Sequence, residues 1–144
     1  MATVSDILST KGSEVVAVPA DESVLYAARL MNERGIGGVV VTNEGRLAGI
    51  FTERDILRRV VAEQRDPAET QVRDVMTAPV IRCKAEAKLD DVMALMSEKR
   101  IRHLPVMDGD RVAGIVTSGD LMAHQVAQQQ ETIDFLNSYV FDLR

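Results

Sequence analysis

Apolar and polar positions along this chain switch between two periods, and the switching happens twice. In the first half, Val15-Val16-Ala17-Val18 is a short continuous apolar run that predicts a strand, whereas Ser23 to Arg34 carries Val24, Ala27, Leu30 and Met31 at helical spacing. Gly38 to Thr42 returns to a β pattern, Asn43-Glu44-Gly45 is a turn signal, and Leu47 to Phe51 predicts the second strand of a hairpin. Ile56, Leu57, Val60 and Val61 then mark another helix. The predicted order, β-α-β-β-α, recurs in the second half. Its elements are Val80-Ile81, Leu89 to Lys99, Leu104 to Met107, a turn at Asp108-Gly109-Asp110, Val112 to Val116, and a helix from Ser118.

The recurrence is an internal repeat. The run from Arg46 to Leu57 aligns without a gap on Arg111 to Met122, an offset of 65 residues, and Ile36 and Val41 meet Ile101 and Val106 at that same offset. Further upstream, Val4 to Leu8 answers Val72 to Met76 at an offset of 68, so the first copy carries three extra residues around Ser9 to Ser13. These boundaries divide the chain into a first repeat over 1–65, a polar linker over 66–71 that contains an Asp-Pro step, a second repeat over 72–125, and a tail over 126–144. Each repeat alone is near the size at which a core becomes marginal, so the two are expected to pack as one pseudo-symmetric unit whose interface is the functional place. The tail places Ile133, Leu136, Val140 and Leu143 at spacings of three and four, an amphipathic helix that either packs back on the domain or serves self-association.

Composition narrows the chemistry. The chain has 144 residues, 46% of them apolar, but only 2 Tyr, 3 Phe and no Trp, so a flat ligand would be held mostly by aliphatic side chains. One cysteine, Cys83, excludes an internal disulfide framework and a Cys-rich zinc site, and reads as a small buried hydrophobe. A net charge of −5 has the wrong sign for a nucleic-acid partner. The N-terminal residues lack a cationic start and an apolar stretch, and no apolar run reaches the ~18 residues of a membrane span, so a cytoplasmic protein without a membrane partner is expected.

In both copies a strand ending in Gly-x-x-Thr runs into a helix whose third residue after the Thr is Asp: Gly49 to Asp55, and Gly114 to Asp120. One reading is a capping box, in which Thr52 or Thr117 accepts from a free backbone N–H and the carboxylate reaches back. The other is a nucleotide site, in which the carboxylate accepts from vicinal ribose hydroxyls while the hydroxyl and helix-start N–H groups face a phosphate. The two are compatible for Thr and compete for Asp. Catalysis finds little support: only His103 and His124 are present, and no Ser or Cys has a recognisable nucleophile context. Asp108-Gly109-Asp110 is a turn rather than a calcium loop, because Gly119 stands where a bidentate Glu is required. No metal site and no enzyme activity are expected.

The duplicated unit with Gly-x-x-Thr-x-x-Asp in each copy, and Arg102 to Asp108 ahead of the second hairpin, resembles a tandem pair of cystathionine-β-synthase (CBS) domains, the Bateman module, over about residues 2–125. The resemblance implies two α/β repeats packed sheet to sheet, a homodimer, and adenine nucleotides (AMP, ADP, ATP, NAD or S-adenosylmethionine) in two clefts between the copies. It implies that Asp55 and Asp120 hold the ribose, with Thr52, Thr117 and Ser118 near the sugar or phosphate. The cleft of Asp120 would draw on Lys11, Gly12 and Val16, and that of Asp55 on Thr77 and Ile81. Ile36 and Ile101 would cover the adenine face, and Arg54, Arg102 and His103 are the candidate phosphate partners. Glu53-Arg54 in one copy is Ser118-Gly119 in the other, and Gly37-Gly38 is Arg102-His103, so the clefts should not be equivalent. The expected function is a nucleotide-sensing regulatory module acting on an unidentified protein; the alternative is a ligand-independent dimerisation or interaction module.

Overall fold

Strand pairing follows the repeat. The computed structural model describes residues 1–141, with side chains described through Tyr139. The first repeat contributes α1 (Val4–Lys11), β1 (Ala17–Pro19), α2 (Val24–Arg34), β2 (Gly38–Asn43), β3 (Arg46–Thr52) and α3, which is α-helical over Glu53–Asp55 and π-helical over Ile56–Val61. The second contributes α4 (Val72–Val75), β4 (Cys83–Lys84), α5 (Leu89–Lys99), β5 (His103–Asp108), β6 (Arg111–Thr117) and α6 (Ser118–Phe141). Each repeat builds one three-stranded sheet, β1-β2-β3 or β4-β5-β6, with a parallel first pair and an antiparallel hairpin. Even the irregularities repeat, since the β2–β3 register shifts between Val41 and Thr42 and the β5–β6 register between Val106 and Met107.

Local chemistry sets the element ends. Ser23 caps α2 by accepting from the Tyr26 N–H at 3.1 Å, and Gly35, at φ 63°, closes that helix in the left-handed region that glycine occupies at little cost. The apolar pair Val80-Ile81 forms no strand. The second sheet's first strand is Cys83–Lys84, paired with Val106 and Met107, and Ile81 is 37% exposed. Likewise β1 begins at Ala17, after Val15 and Val16. Helix α6 runs without a break from the second repeat into the tail, where Leu143 lies outside the described residues.

The cores are assembled crosswise. Val18, Val24, Met31, Val41 and Phe51 of the first repeat are sealed by Val72 and Val75 of α4, and Leu89, Val92, Leu104 and Val116 of the second are sealed by Val4 and Ile7 of α1. Backbone bonds fasten each exchanged helix in the same way. The N–H groups of Val4 and Ser5 donate to the carbonyls of Ala87 and Ala85, and those of Val72 and Arg73 donate to Glu22 and Ala20, all at 2.8–2.9 Å. Each sealing Val or Ile stabilises by about 1.5–3 kcal/mol, so neither core is complete without a helix from the other half of the chain.

The glycine of each Gly-x-x-Thr run explains how the exchanged helices come so close. A Cβ added at Gly49 would lie 2.5 Å from Sδ of Met76 and 2.9 Å from the carbonyl oxygen of Thr77, and one added at Gly114 would lie 2.8 Å from Cδ2 of Leu8. Strands β3 and β6, which carry these glycines, meet between the sheets.

Candidate functional site

Two clefts open beside the strand-to-helix junctions. In both, the capping geometry is made. The Thr52 N–H donates to Oδ2 of Asp55 at 3.0 Å and the Thr117 N–H to Oδ2 of Asp120 at 2.8 Å, while the Asp N–H groups donate back to the Thr hydroxyls at 3.4 and 3.1 Å. Capping engages Oδ2 in both, and what else each carboxylate meets distinguishes the clefts.

At Asp55, which is 6% exposed, Oδ1 accepts from the Thr77 hydroxyl at 2.9 Å and lies 3.9 Å from Nε of Arg59. Thr77 is held there by a two-way backbone bridge, its N–H donating to Ile50 at 2.8 Å and the Ile50 N–H donating back at 3.0 Å. The cleft around this carboxylate has a volume of about 440 Å³, within the range of about 300–1,000 Å³ common for small-molecule sites. Ile50, Leu57 and Ile101 supply its apolar lining.

Its polar lining is strongly cationic. Arg54, Arg58, Arg59, Arg100 and Arg102 face the cleft together with His103, against the carboxylates of Glu53 and Asp55. Arg54 donates to the carbonyl of Arg100 at 2.9 Å and Arg59 to that of Met76 at 2.7 Å, so two guanidinium groups of the first repeat are braced on the second. Sequence reasoning found Arg54, Arg102 and His103 but missed Arg58, Arg59 and Arg100. Arg58 stands one helical turn beyond Arg54, which was readable, and Arg100 occupies the position matching Gly35 at the repeat offset. Its φ of 55° is left-handed, a conformation that costs a non-glycine residue about 1–2 kcal/mol and here brings a further guanidinium to the cleft.

The second cleft, about 370 Å³, gathers Lys11, Val16, Ile36, Thr117 and Asp120, with Glu14 and His103. Here Lys11 takes the position that Thr77 and its bridge take in the first. Its ammonium donates to Oδ2 of Asp120 at 2.7 Å and to the carbonyl of Ile115 at 2.8 Å. The three extra residues of the first repeat are the cause, since they make α1 eight residues long against four in α4 and carry Lys11 to the junction. Burial pushes the Asp120 carboxyl up, but the bonds from Lys11 and Thr117 outweigh it and hold the group below the usual carboxylate range.

His103 lines both clefts. Its ring packs on Gly38, where an added Cβ would lie 3.0 Å from the imidazole, so glycines in one copy make room for a histidine in the other. Burial lowers its pKa, and the nearby Glu53 and Asp120 charges only partly offset that. Ile36 and Ile101 are divided between the clefts, and Thr77 reaches the one expected. Gly12, Ile81 and Ser118 are not brought to either lining; the Ser118 N–H instead donates to Arg102, matching the bond from Glu53 to Gly37. Cys83 is half-buried, and burial pushes its thiol up to about 11. Among the described residues no cluster of His, Cys, Asp and Glu has the makings of a metal site, and no helix is long and apolar enough to cross a membrane.

Comparison with known proteins matches this geometry to a family. A family model described as the CBS domain matches residues 4–62 and again 72–127. The chain is 34% identical over 147 residues to the CBS domain-containing protein CBSX3, mitochondrial, of Arabidopsis thaliana, covering 96% of this chain and 71% of that protein. A solved CBS-domain containing protein, ATU1752 from Agrobacterium tumefaciens, superposes with a TM-score of 0.82 at 38% identity, covering 86% of this chain and 99% of the other. A further structure, the CBS domain pair of protein MJ0100 in complex with 5′-methylthioadenosine and S-adenosyl-L-methionine, has a TM-score of 0.79 at 28% identity and covers 89% of this chain and 98% of its own.

Proposed function

The chain is a member of the CBS domain family, and from that premise we propose that it is a regulatory module that binds a phosphate-bearing adenine nucleotide in the Asp55 cleft. The observation that carries this reading is the charge of that cleft: five guanidinium groups against two carboxylates, in a chain whose net charge is −5. Guanidinium groups in such a cluster pair with phosphate oxygens bidentately and keep their charge at any physiological pH. Asp55 and Thr77 take the ribose, the side chains of Ile50 and Ile101 take the adenine faces, and the arginines take the phosphates. A similar solved domain pair binds adenosine compounds, one of them carrying a sulfonium cation, which this arginine cluster would disfavour. AMP, ADP, ATP and NAD are therefore the ligand class.

The Asp120 cleft is the weaker site in this reading. Lys11 already neutralises its carboxylate, and Glu14 leaves the lining without surplus positive charge. Regulation follows from the bracing of Arg54 and Arg59 across the repeats: a ligand that competes for these guanidinium groups shifts the population of repeat packings, and with it the surface offered to a regulated protein.

The test is thermal unfolding of the whole chain with AMP, ADP, ATP, NAD and S-adenosylmethionine. A ligand at 100 times its dissociation constant stabilises by about 2.7 kcal/mol. The shift is expected with the phosphate-bearing ligands, is lost in Asp55→Ala and persists in Asp120→Ala. No shift with any of them overturns the reading.

A further inference from the structure

Gly37 and His103 both border the two clefts, and of the pair only His103 has a side chain to offer. Its ring, half-buried, is the wall between the sites. A Cβ added at Gly37 would lie 3.5 Å from Cε1 of the imidazole and 3.5 Å from Oε2 of Glu53, so the ring and that carboxylate converge over one backbone position of the first repeat. On the other side, His103 pairs in register with Thr117, whose N–H holds Oδ2 of Asp120.

The charges that face this ring come from four elements. Glu53 at the start of α3 and Asp120 in α6 favour the imidazolium, whereas Lys11 at the end of α1 and Arg102 just ahead of β5 oppose it. Glu14 is paired with Arg34, and Asp55 lies beside Arg59, so neither adds a free charge. The guanidinium groups of Arg54, Arg58 and Arg100 share the Asp55 cleft and add to the opposition. With two charges of each sign close by, burial decides, and the ring of the free protein is neutral. A phosphate group in that cleft reverses the balance. It brings negative charge beside the imidazole and neutralises the guanidinium groups that oppose protonation.

Resting on the binding reading above, we infer that His103 couples ligand binding to proton uptake: its ring is neutral while the Asp55 cleft is free and takes a proton from solvent when a phosphate-bearing ligand enters, so such ligands bind more tightly in mild acid. The test uses the whole chain with AMP, ADP, ATP and NAD. In the wild type, NMR titration of the His103 ring is expected to show a midpoint below 6.5 without ligand that rises by about one pH unit with it, equivalent to about tenfold tighter binding at about pH 5 than at about pH 8. Calorimetry in two buffers of different ionisation enthalpy is expected to read the same uptake as a fraction of a proton per ligand bound. In His103→Gln that uptake is expected to fall to what the ligand's own phosphate contributes, and in His124→Gln to stay at the wild-type value. Binding with an unmoved ring midpoint, or an uptake that persists undiminished in His103→Gln, overturns this inference and leaves the binding reading standing. No binding of any of the four nucleotides overturns both.

Discussion

The ammonium of Lys11 sits 2.7 Å from a carboxylate oxygen of Asp120, so a side chain from the first helix of the chain holds the junction of the second repeat. The two groups are 33% and 22% exposed, which places the pair between a surface ion pair and a buried one. Removing either partner is expected to cost about 1 kcal/mol or less. A double-mutant cycle with Lys11→Met and Asp120→Asn, read by urea unfolding, is expected to give a coupling of about 0.5–1 kcal/mol. No coupling would mean that the bridge contributes nothing to stability.

Gly49 and Gly114 are equivalent in the repeat but not in what surrounds them. An alanine at Gly49 meets the backbone carbonyl of Thr77, itself fastened to Ile50, whereas one at Gly114 meets the rotatable end of Leu8. Gly49→Ala is expected to destabilise by about 1–3 kcal/mol, and Gly114→Ala by less than half as much. Chemical denaturation of the two variants checks the order; equal losses would show that the Thr77 backbone yields as easily as a leucine side chain.

His103 makes the fold sensitive to mild acid. Its pKa is held below the ordinary 6.5 by burial, with Lys11 and Arg102 acting in the same direction and Glu53 and Asp120 against it. Above 6.5 the imidazole is neutral in folded and unfolded chains alike, and its contribution is complete. As the pH falls below that value the unfolded chain takes up a proton first, so unfolding free energy declines until the folded pKa is passed. NMR titration of the His103 ring is expected to give a midpoint below 6.5, and His103→Gln to lose less stability on acidification than wild type. An equal loss in both assigns the acid sensitivity to other groups.

The parts legible in the sequence were those with local causes. The 65-residue offset carried the hairpins and both Thr-x-x-Asp caps, because turn and cap chemistry involves neighbours in the chain. Applied to β1 it also points to 82–84, where β4 lies, rather than to the more apolar Val80-Ile81; register outweighed hydrophobicity. The exchange of α1 and α4 was not legible, since Val4 and Val72 satisfy cores whose other members are remote in sequence. Competition for the Asp carboxylates was foreseen, but its outcome was not. Whether Thr77 meets the second oxygen of Asp55 or Lys11 the capping oxygen of Asp120 depends on a four-residue difference in helix length that only tertiary packing interprets.

The crosswise cores also reverse the usual relation between sequence neighbours and mechanical neighbours. Because α1 is embedded in the second repeat, a protein fused ahead of Thr3 would be moored to the half of the module farther along the chain. Force or motion entering there reaches Asp120 through Lys11, and arrives at Asp55 only by way of the interface between the repeats.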